Sequence, residues 1–291
     1  ESMERADRAA VNLLRRDSSH PDGYVIRAVA NGYIARQHAN RNRWLQSVRT
    51  ARNAQIAHER MGQLIPDLSD NLFAEGLKLY YAAYIPEAYP VVRAVSWLMP
   101  EGDKRRGLEL LEKTSRDAVF ARPEAIYFMG NILLNYEHDY DEATPYFYQL
   151  VERYPDNSYY RRLLVRALFR QNRHMEARNE ITRALNRWEE HQYEDEPVLR
   201  EELLYWSGRI EMKTGSYSRA RSLLDESFSL GKQLPNVNER SFHAMSGYYA
   251  GVASEWSGEP GRAEAYYRQV VRLDCEKEIR DQARSRLSDL Q

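Results

Sequence analysis

The sequence contains a single cysteine, Cys275, among its 291 residues, and this excludes an internal disulfide. It also lacks any run approaching the roughly 18 apolar residues that a helix needs to cross a membrane. The strongest apolar stretch, 163–169, is interrupted by Arg166. The net charge is only −1, which argues against binding nucleic acid through bulk charge. Lysine is scarce, so the positive charge lies almost entirely on arginine side chains.

Motifs that carry catalytic chemistry are missing or incomplete. Neither GxGxxG nor GxxxxGK[ST] occurs, so no glycine-rich loop is expected to hold phosphate. The segment HERM at 58–61 begins like the zinc-protease motif HExxH but lacks the second histidine, and all histidines are scattered as single residues. SLGK at 229–232 has the S-x-x-K spacing of some acyl-transfer enzymes without a companion motif. We therefore predict a protein that is not an enzyme, with no cofactor and no metal site.

Hydrophobic periodicity indicates an all-α chain. Apolar residues recur at helical spacing in segments of about 12–18 residues, and Gly, Pro, Asn and Asp separate these segments. Leu163, Leu164, Ala167 and Leu168 form one such stripe. The two-residue alternation typical of strands is nearly absent, so every regular element is predicted to be a helix.

An internal repeat runs through the second half of the chain. NRHMEA (172–177), GSYSRA (215–220) and GEPGRA (258–263) align as a turn followed by a helix, with alanines 43 residues apart. A fourth segment, HDYDEA, ends 34 residues earlier at Ala143. Upstream of each alanine lies a small or β-branched residue, and four positions after it lies a larger one. These two sets are Gly130, Val165, Gly208 and Gly251, and Phe147, Ile181, Leu224 and Tyr267. The pattern predicts antiparallel helices that pack closely where small side chains face each other.

This pattern resembles the tetratricopeptide repeat. The 34-residue period matches 123–156 and 157–190 best, and 198–235 and 241–275 look like the same repeat with about nine extra residues per period. The resemblance implies a right-handed superhelical solenoid of antiparallel helix hairpins, each stabilised mainly by its neighbours. We accordingly divide the chain into divergent helical repeats at 1–116, a tetratricopeptide-like array at 117–275 and a capping helix at 276–291.

The divergent N-terminal part shows looser versions of the same units. Residues 4–23 look like a helix with its terminating Pro21, 67–84 like a first helix around Gly76, and 102–115 like a second helix with Gly107 in the alanine role. The stretch from 100 to 115 followed by a repeat pair also resembles bacterial envelope repeat proteins. Together with the missing initiator methionine, this resemblance favours the periplasm or cell envelope as the location.

The tetratricopeptide resemblance implies a binding groove, because the first helix of each hairpin lines the concave face of such arrays. The residues that it places there are Arg162, Arg166, Phe169 and Arg170, then Tyr205, Arg209 and Lys213, and finally Tyr248 and Trp256. Arginines would hold carboxylates of an extended partner segment, and the aromatic rings would supply apolar contact. An ordinary exposed helix face with packing aromatics is the alternative. On the groove interpretation, Arg166→Glu is expected to weaken partner binding without unfolding the protein.

A basic patch is the second candidate site. From Gly23 to His58 the chain has no acidic residue, and on one helix Arg41, Arg49, Arg52 and Arg60 fall within about a third of the circumference. Leu45 and Ile56 share this arc, so we expect part of the face to be buried under the arginine side chains. The patch would suit anionic lipid, nucleic acid or an acidic protein, and a solvated face is the alternative.

The function predicted from these features is a non-catalytic scaffold or adaptor that binds a protein partner, through an acidic or extended segment, in the concave groove. One alternative is a structural subunit that self-associates into a larger envelope complex or polymer through its ends or convex face. Another is a peripheral binder of nucleic acid or anionic lipid that uses segment 23–58. Nucleic acid is the less favoured partner of the two, because the net charge is close to zero.

Overall fold

The computed structural model describes residues 1–39, 41, 43–89, 101–191, 197–235, 237 and 240–290. These described residues form helices and no strands, so the predicted fold class, an all-α solenoid of antiparallel helix hairpins, is confirmed. The described part of the chain contains α1 (Ser2–Arg16), α2 (Pro21–Ala39), α3 (Trp44–Leu64), α4 (Asn71–Ala88), α5 (Lys104–Asp117), α6 (Arg122–Asn135), α7 (Tyr140–Arg153), α8 (Ser158–Arg170), α9 (His174–His191), α10 (Pro197–Lys213), α11 (Tyr217–Gly231), α12 (Ser241–Trp256), α13 (Pro260–Val271) and α14 (Lys277–Asp289).

The helices gather into two compact units. Unit 1 is Glu1–Ile126 and unit 2 is Tyr127–Gln291, so the division falls inside α6. The sequence-based division into 1–116, 117–275 and 276–291 follows repeat similarity rather than compactness, and it stays a prediction.

Each hairpin of unit 2 turns through one residue in the left-handed backbone region. These residues are His138, Asn172, Gly215 and Gly258, with φ between 56° and 77°. They lie 34, 43 and 43 residues apart, which is the spacing of the repeat alanines. In three of these turns the backbone N–H after the left-handed residue donates to a carbonyl five residues earlier, as Ser216 does to Glu211. In the first turn Asp139 donates to Leu133, six residues earlier, so this turn is one residue longer. A left-handed residue followed by such a bond is the usual way to end a helix, so the four turns are variants of one type.

The repeat alanines are fully buried, as the sequence predicts. Ala143, Ala177, Ala220 and Ala263 have no exposed surface, and the larger residues four positions later are buried beside them. The small residues of the preceding helix face those larger side chains. A Cβ atom on Gly130 would lie 2.8 Å from the Phe147 ring, and one on Gly208 would lie 2.5 Å from Cγ of Leu224. Glycine is therefore required at these helix crossings by the space that the partner side chain fills.

Unit 1 has the same kind of close crossing between α4 and α5. A Cβ atom on Gly107 would lie 2.7 Å from the backbone nitrogen of Tyr80 and 2.8 Å from the carbonyl oxygen of Gly76. The buried Asp70, at the start of α4, accepts hydrogen bonds from three successive backbone N–H groups at 119–121 and fixes the loop after α5. The prediction for Pro21 is wrong: α1 ends at Arg16, and Pro21 is the first residue of α2, where its missing N–H costs nothing.

Candidate functional site

The helices α8, α10, α12 and α14 of unit 2 pack side by side in that order, and we call the side that carries the predicted groove residues the inner face. These are the helices that open each hairpin, together with the last helix of the chain, and they carry all the residues of the predicted groove. Residues that recur at steps of four along one helix share this face, as Tyr205, Arg209 and Lys213 do on α10. The inner face divides into a paired part near α8 and an open part near α12.

The paired part centres on Glu202, which is completely buried on α10. Its carboxylate forms ion pairs with Arg162, at 3.0 Å, and with Arg166, both on α8. The indole nitrogen of Trp206 donates a hydrogen bond to the same carboxylate at 3.0 Å. Two of the predicted groove arginines are therefore engaged inside the molecule, where they join α8 to α10. The expectation that Arg166→Glu leaves the fold intact is corrected by this arrangement, because the new carboxylate would face a buried one.

Further buried carboxylates join neighbouring helices of unit 2 in the same way. Glu180 on α9 lies 2.5 Å from Arg161 on α8, and both side chains are largely buried. Glu211 on α10 lies 3.0 Å from Arg178 on α9. A third buried carboxylate, that of Glu201, forms an ion pair with Arg240. Burial raises the pKa of the Glu201 carboxyl group.

Arg209 lies between aromatic rings at the border of the open part. Its guanidinium carbon is 3.6 Å from the centre of the Tyr249 ring, and 5.6 Å from each of the Phe169 and Tyr205 rings. One of its nitrogens donates to the hydroxyl oxygen of Tyr205 at 2.6 Å, and burial raises the pKa of that hydroxyl to about 12. Such stacking fixes the guanidinium plane and leaves its remaining N–H groups to bind an anion in a set direction.

A cavity of about 180 Å³ opens in the surface beside Arg209. Arg209, Lys213 and Arg286 supply positive charge to its lining, and Trp256, half of whose surface is exposed, stands at its edge against Tyr217. Arg286 lies 3.1 Å from Glu255, whereas Arg209 and Lys213 form no ion pair with any carboxylate in the described residues. The remaining lining residues are Met212, Tyr248, Tyr249 and Val252. The cavity thus combines two uncompensated cations with an apolar and aromatic wall.

The structure brings together four of the predicted groove residues, Arg209, Lys213, Tyr248 and Trp256, around this cavity. Two others are packing residues. Phe169 is buried with its ring 4.8 Å from that of Trp206, and Tyr205 is buried beneath Arg209. Arg170 lines a different cavity of about 420 Å³, together with the α6–α7 turn, and so does not join the site.

The sequence reasoning missed both Tyr249 and Arg286, which line the cavity, and the buried acids on α10. Tyr249 lies next to Tyr248 in the sequence but was not assigned to the groove, and Arg286 was assigned to the capping helix. A signal for Glu201 and Glu202 was present. They stand directly before the apolar run LLYW at 203–206, on a helix that packs on both sides, where an unpaired carboxylate is not tolerated.

The basic patch lies in unit 1 and differs from the prediction in two respects. Arg49, Arg52 and Arg60 are on α3, but Arg41 lies in the turn before this helix, so the four arginines do not share one helix. Arg41, Arg49, Arg52 and Arg60 are exposed, as expected. Leu45 and Ile56 are not buried under them: 87% of Leu45 and 55% of Ile56 are exposed. The arginine side chains therefore extend into solvent, because no second helix covers this side of α3 in the described residues.

Among the described residues, no group of three or more His, Cys, Asp or Glu side chains is placed to hold a metal ion. None of the helices in the described parts of the chain is both long and apolar enough to cross a membrane.

Comparison with known proteins shows a family likeness over part of the chain. Residues 134–187, which cover α7, α8 and most of α9, match the tetratricopeptide repeat model. The comparison with curated proteins gives no match. Two solved structures have a similar course of the chain. One is BtubC (BKLC) from P. vanneervenii, with 10% identity over 96% of this chain and 89% of that one and a TM-score of 0.49. The other is yeast Tom70, with 12% identity over 99% and 58% and a TM-score of 0.43. At these scores neither likeness bears on function.

The sequence match supports a general role. Tetratricopeptide repeats are protein-interaction modules, and solenoids of this type are generally non-catalytic.

Proposed function

We propose that this chain, a tetratricopeptide-repeat protein over residues 134–187, is a non-catalytic scaffold or adaptor that binds a segment of a partner protein on the inner face of unit 2. The observation that carries the proposal is the cavity beside Arg209, where two cations without carboxylate partners meet an aromatic wall. Uncompensated charge next to exposed aromatic surface is typical of the centre of a binding site rather than of a solvated helix face.

The recognition is expected to use only part of the predicted groove. Arg162 and Arg166 already pair with Glu202, so a partner carboxylate would have to compete with a buried one. Arg209 and Lys213 are the groups that remain for an acidic side chain of the partner, and Trp256 offers the adjoining apolar contact. The partner segment is therefore expected to carry an acidic residue next to an aliphatic or aromatic one.

The test combines crosslinking with a designed variant. The tagged protein is crosslinked in its native cells, and mass spectrometry identifies the partner segment that is joined to 205–256. A synthetic peptide of that segment is then titrated calorimetrically against the wild type and against Lys213→Glu combined with Trp256→Ser. Because both side chains are exposed, this variant should keep the fold and lower the affinity by about a hundredfold, as removal of two central contacts does.

A matched control makes the same two changes elsewhere in unit 2. Lys277→Glu combined with Met175→Ser alters an exposed lysine and an exposed apolar residue that do not line the cavity, and it should bind the peptide like the wild type. Equal loss of affinity in both variants would contradict the site. Crosslinks found only between copies of this chain, at its ends or on its convex side, would instead favour the structural-subunit alternative.

A further inference from the structure

A stripe of exposed aliphatic and basic side chains runs along α3 in unit 1. Leu45, Val48 and Ile56 are 87%, 69% and 55% exposed, and Arg49 and Arg52 lie between them. At 3.6 residues per turn, these five positions fall within roughly 100° of the helix circumference. The side of α3 that packs into unit 1 is the opposite one, where Ala57 and Met61 are buried. Three large aliphatic side chains therefore point away from the protein on one continuous surface.

The charge on this stripe is uncompensated. Neither Arg49 nor Arg52 forms an ion pair or a side-chain hydrogen bond with any described residue, and Arg60 donates only to the neutral amide oxygen of Gln63. The one acidic side chain nearby on α3, Glu59, accepts a hydrogen bond from Gln55. The preceding segment from Gly23 onwards has no acid and four more arginines, of which Arg27 forms an ion pair with Asp7. This surface contrasts with α8, whose arginines face buried carboxylates.

We propose that the α3 stripe, defined as Leu45, Val48, Arg49, Arg52 and Ile56, binds the surface of an anionic lipid membrane. A helix that lies flat in the interface inserts its aliphatic side chains below the headgroups while its arginines remain at the level of the phosphates. The proposal concerns unit 1 alone and does not rest on the partner site of unit 2.

The composition of the stripe favours lipid over the other anionic partners. Proteins that bind single-stranded nucleic acid stack bases on aromatic rings, and the stripe has none. A protein groove would be expected for an acidic peptide, whereas the stripe is the outward side of a single helix. Aliphatic side chains next to arginine on a convex surface match an acyl region below a layer of phosphates.

The experiment is vesicle co-sedimentation of the full chain. Vesicles of equal parts phosphatidylglycerol and phosphatidylcholine are compared with vesicles of phosphatidylcholine alone, at low and at physiological ionic strength. We expect sedimentation with the anionic vesicles only, and weaker binding as salt screens the arginines. Arg49→Gln combined with Arg52→Gln should lower the partition coefficient about twenty-five-fold, since each basic residue near such a surface contributes roughly a factor of five.

Two companion variants separate the stripe from general charge. Leu45→Ser combined with Ile56→Ser should lower the partition coefficient about tenfold while the net charge stays the same. Arg5→Gln combined with Arg8→Gln removes two exposed arginines from α1 and should leave binding close to the wild-type level. Far-ultraviolet circular dichroism and thermal unfolding of each variant verify that the fold is kept.

Four outcomes would overturn the proposal. The first is no sedimentation with anionic vesicles at low salt, and the second is equal sedimentation with neutral ones. The third is binding to a single-stranded oligonucleotide that is abolished by substitution of Arg49 and Arg52 but not by substitution of Leu45 and Ile56. This result would assign the stripe to nucleic acid. The fourth is a dimer in sedimentation velocity that the serine substitutions dissociate without any vesicle binding, which would make the stripe an interface between copies.

Discussion

Units 1 and 2 both carry arginines at helical spacing, but they use them in opposite ways. On α8 of unit 2, Arg162 and Arg166 lie against the buried carboxylate of Glu202. On α3 of unit 1, Arg49 and Arg52 extend into solvent among exposed aliphatic side chains, with no carboxylate in reach among the described residues. The spacing of the arginines does not distinguish these cases. The difference comes from the neighbouring helix, which presents glutamates in unit 2 and is absent from the outer side of α3 in the described part of the chain.

This contrast shows where an arginine in a helical array is available to a partner. An arginine that faces a buried acid is part of the interior, because removing it leaves a charge without compensation. An arginine that stacks on rings or faces solvent keeps N–H groups for another molecule. By this criterion Arg209 in unit 2 and the α3 stripe in unit 1 are available for the proposed binding, whereas Arg162 and Arg166 are structural. The predictions below test the contrast in order of the expected effect.

The largest effect is expected from Arg166→Glu. The substitution places a second carboxylate beside the buried Glu202, so the free energy of unfolding should fall by about 3 kcal/mol or more. Urea unfolding followed by circular dichroism measures it. The matched variant in unit 1, Arg52→Glu, makes the same change on an exposed arginine and should stay within about 0.5 kcal/mol of the wild type. Equal urea midpoints for the two variants would mean that the Glu202 pairs do not hold α8 against α10.

A smaller effect is expected from a single methyl group at the crossing of α4 and α5. Gly107→Ala places Cβ within 2.8 Å of backbone atoms of Tyr80 and Gly76, and the helices have to separate, at a cost of about 2 kcal/mol. Gly32 on α2 has no atom within 4 Å of such a Cβ, so Gly32→Ala should stabilise the protein by up to about 1 kcal/mol. Thermal unfolding gives both values. A neutral Gly107→Ala would indicate that unit 1 is packed more loosely than unit 2 everywhere, and not only on the outer side of α3.

The smallest effect concerns the pH dependence of unit 2. Burial against Phe228, with the nearby charge of Lys232, lowers the pKa of His243 from 6.5 to about 4. In the unfolded chain this histidine takes up a proton below about pH 6.5, whereas in the folded chain it stays neutral until about pH 4. Unfolding is therefore coupled to the uptake of a proton between pH 6.5 and pH 4. The free energy of unfolding should fall by about 1 to 2 kcal/mol as the pH decreases over this range.

The contribution of His243 is isolated by comparison with His243→Leu. Leucine fits the apolar surroundings and does not titrate, so the difference in unfolding free energy between the two proteins should change with pH in that window and be constant above it. Subtracting the two curves removes the opposite slope from Glu201, whose raised pKa favours folding as the pH falls. A difference that is flat between pH 4 and 6.5 would contradict the lowered pKa.

Much of unit 2 is predictable from sequence, because its determinants are local. The repeat alanines and the residues four positions later are buried as expected, since the spacing of small and large side chains fixes where two helices can approach. The pairing of Arg162 and Arg166 with Glu202 was not predictable from the helix that carries them. It depends on the axial position at which α10 packs against α8, and two segments about forty residues apart together determine that position.

The exposure of Leu45 and Ile56 was missed for a related reason. Amphipathic spacing states that a residue shares a face with its neighbours, but not whether another helix covers that face. A long arginine can lie over an apolar neighbour or extend away from it, and the sequence permits both. Likewise Arg286 lines the cavity because α14 packs beside α12, and no motif in the last helix predicts this packing.

The turns of unit 2 also determine how the repeat has been lengthened. α8 and α10, which open successive hairpins, have 13 and 17 residues, and α7 and α9, which close the hairpins before them, have 14 and 18. The turn inside each hairpin is unchanged, so the added residues all lie toward the junction with the next hairpin. Inside a hairpin, length is constrained by one left-handed residue and by the close crossing of the two helices. At the junctions the array accepts extra chain, and these are the places where a reporter or a foreign segment can be inserted with the repeat kept intact.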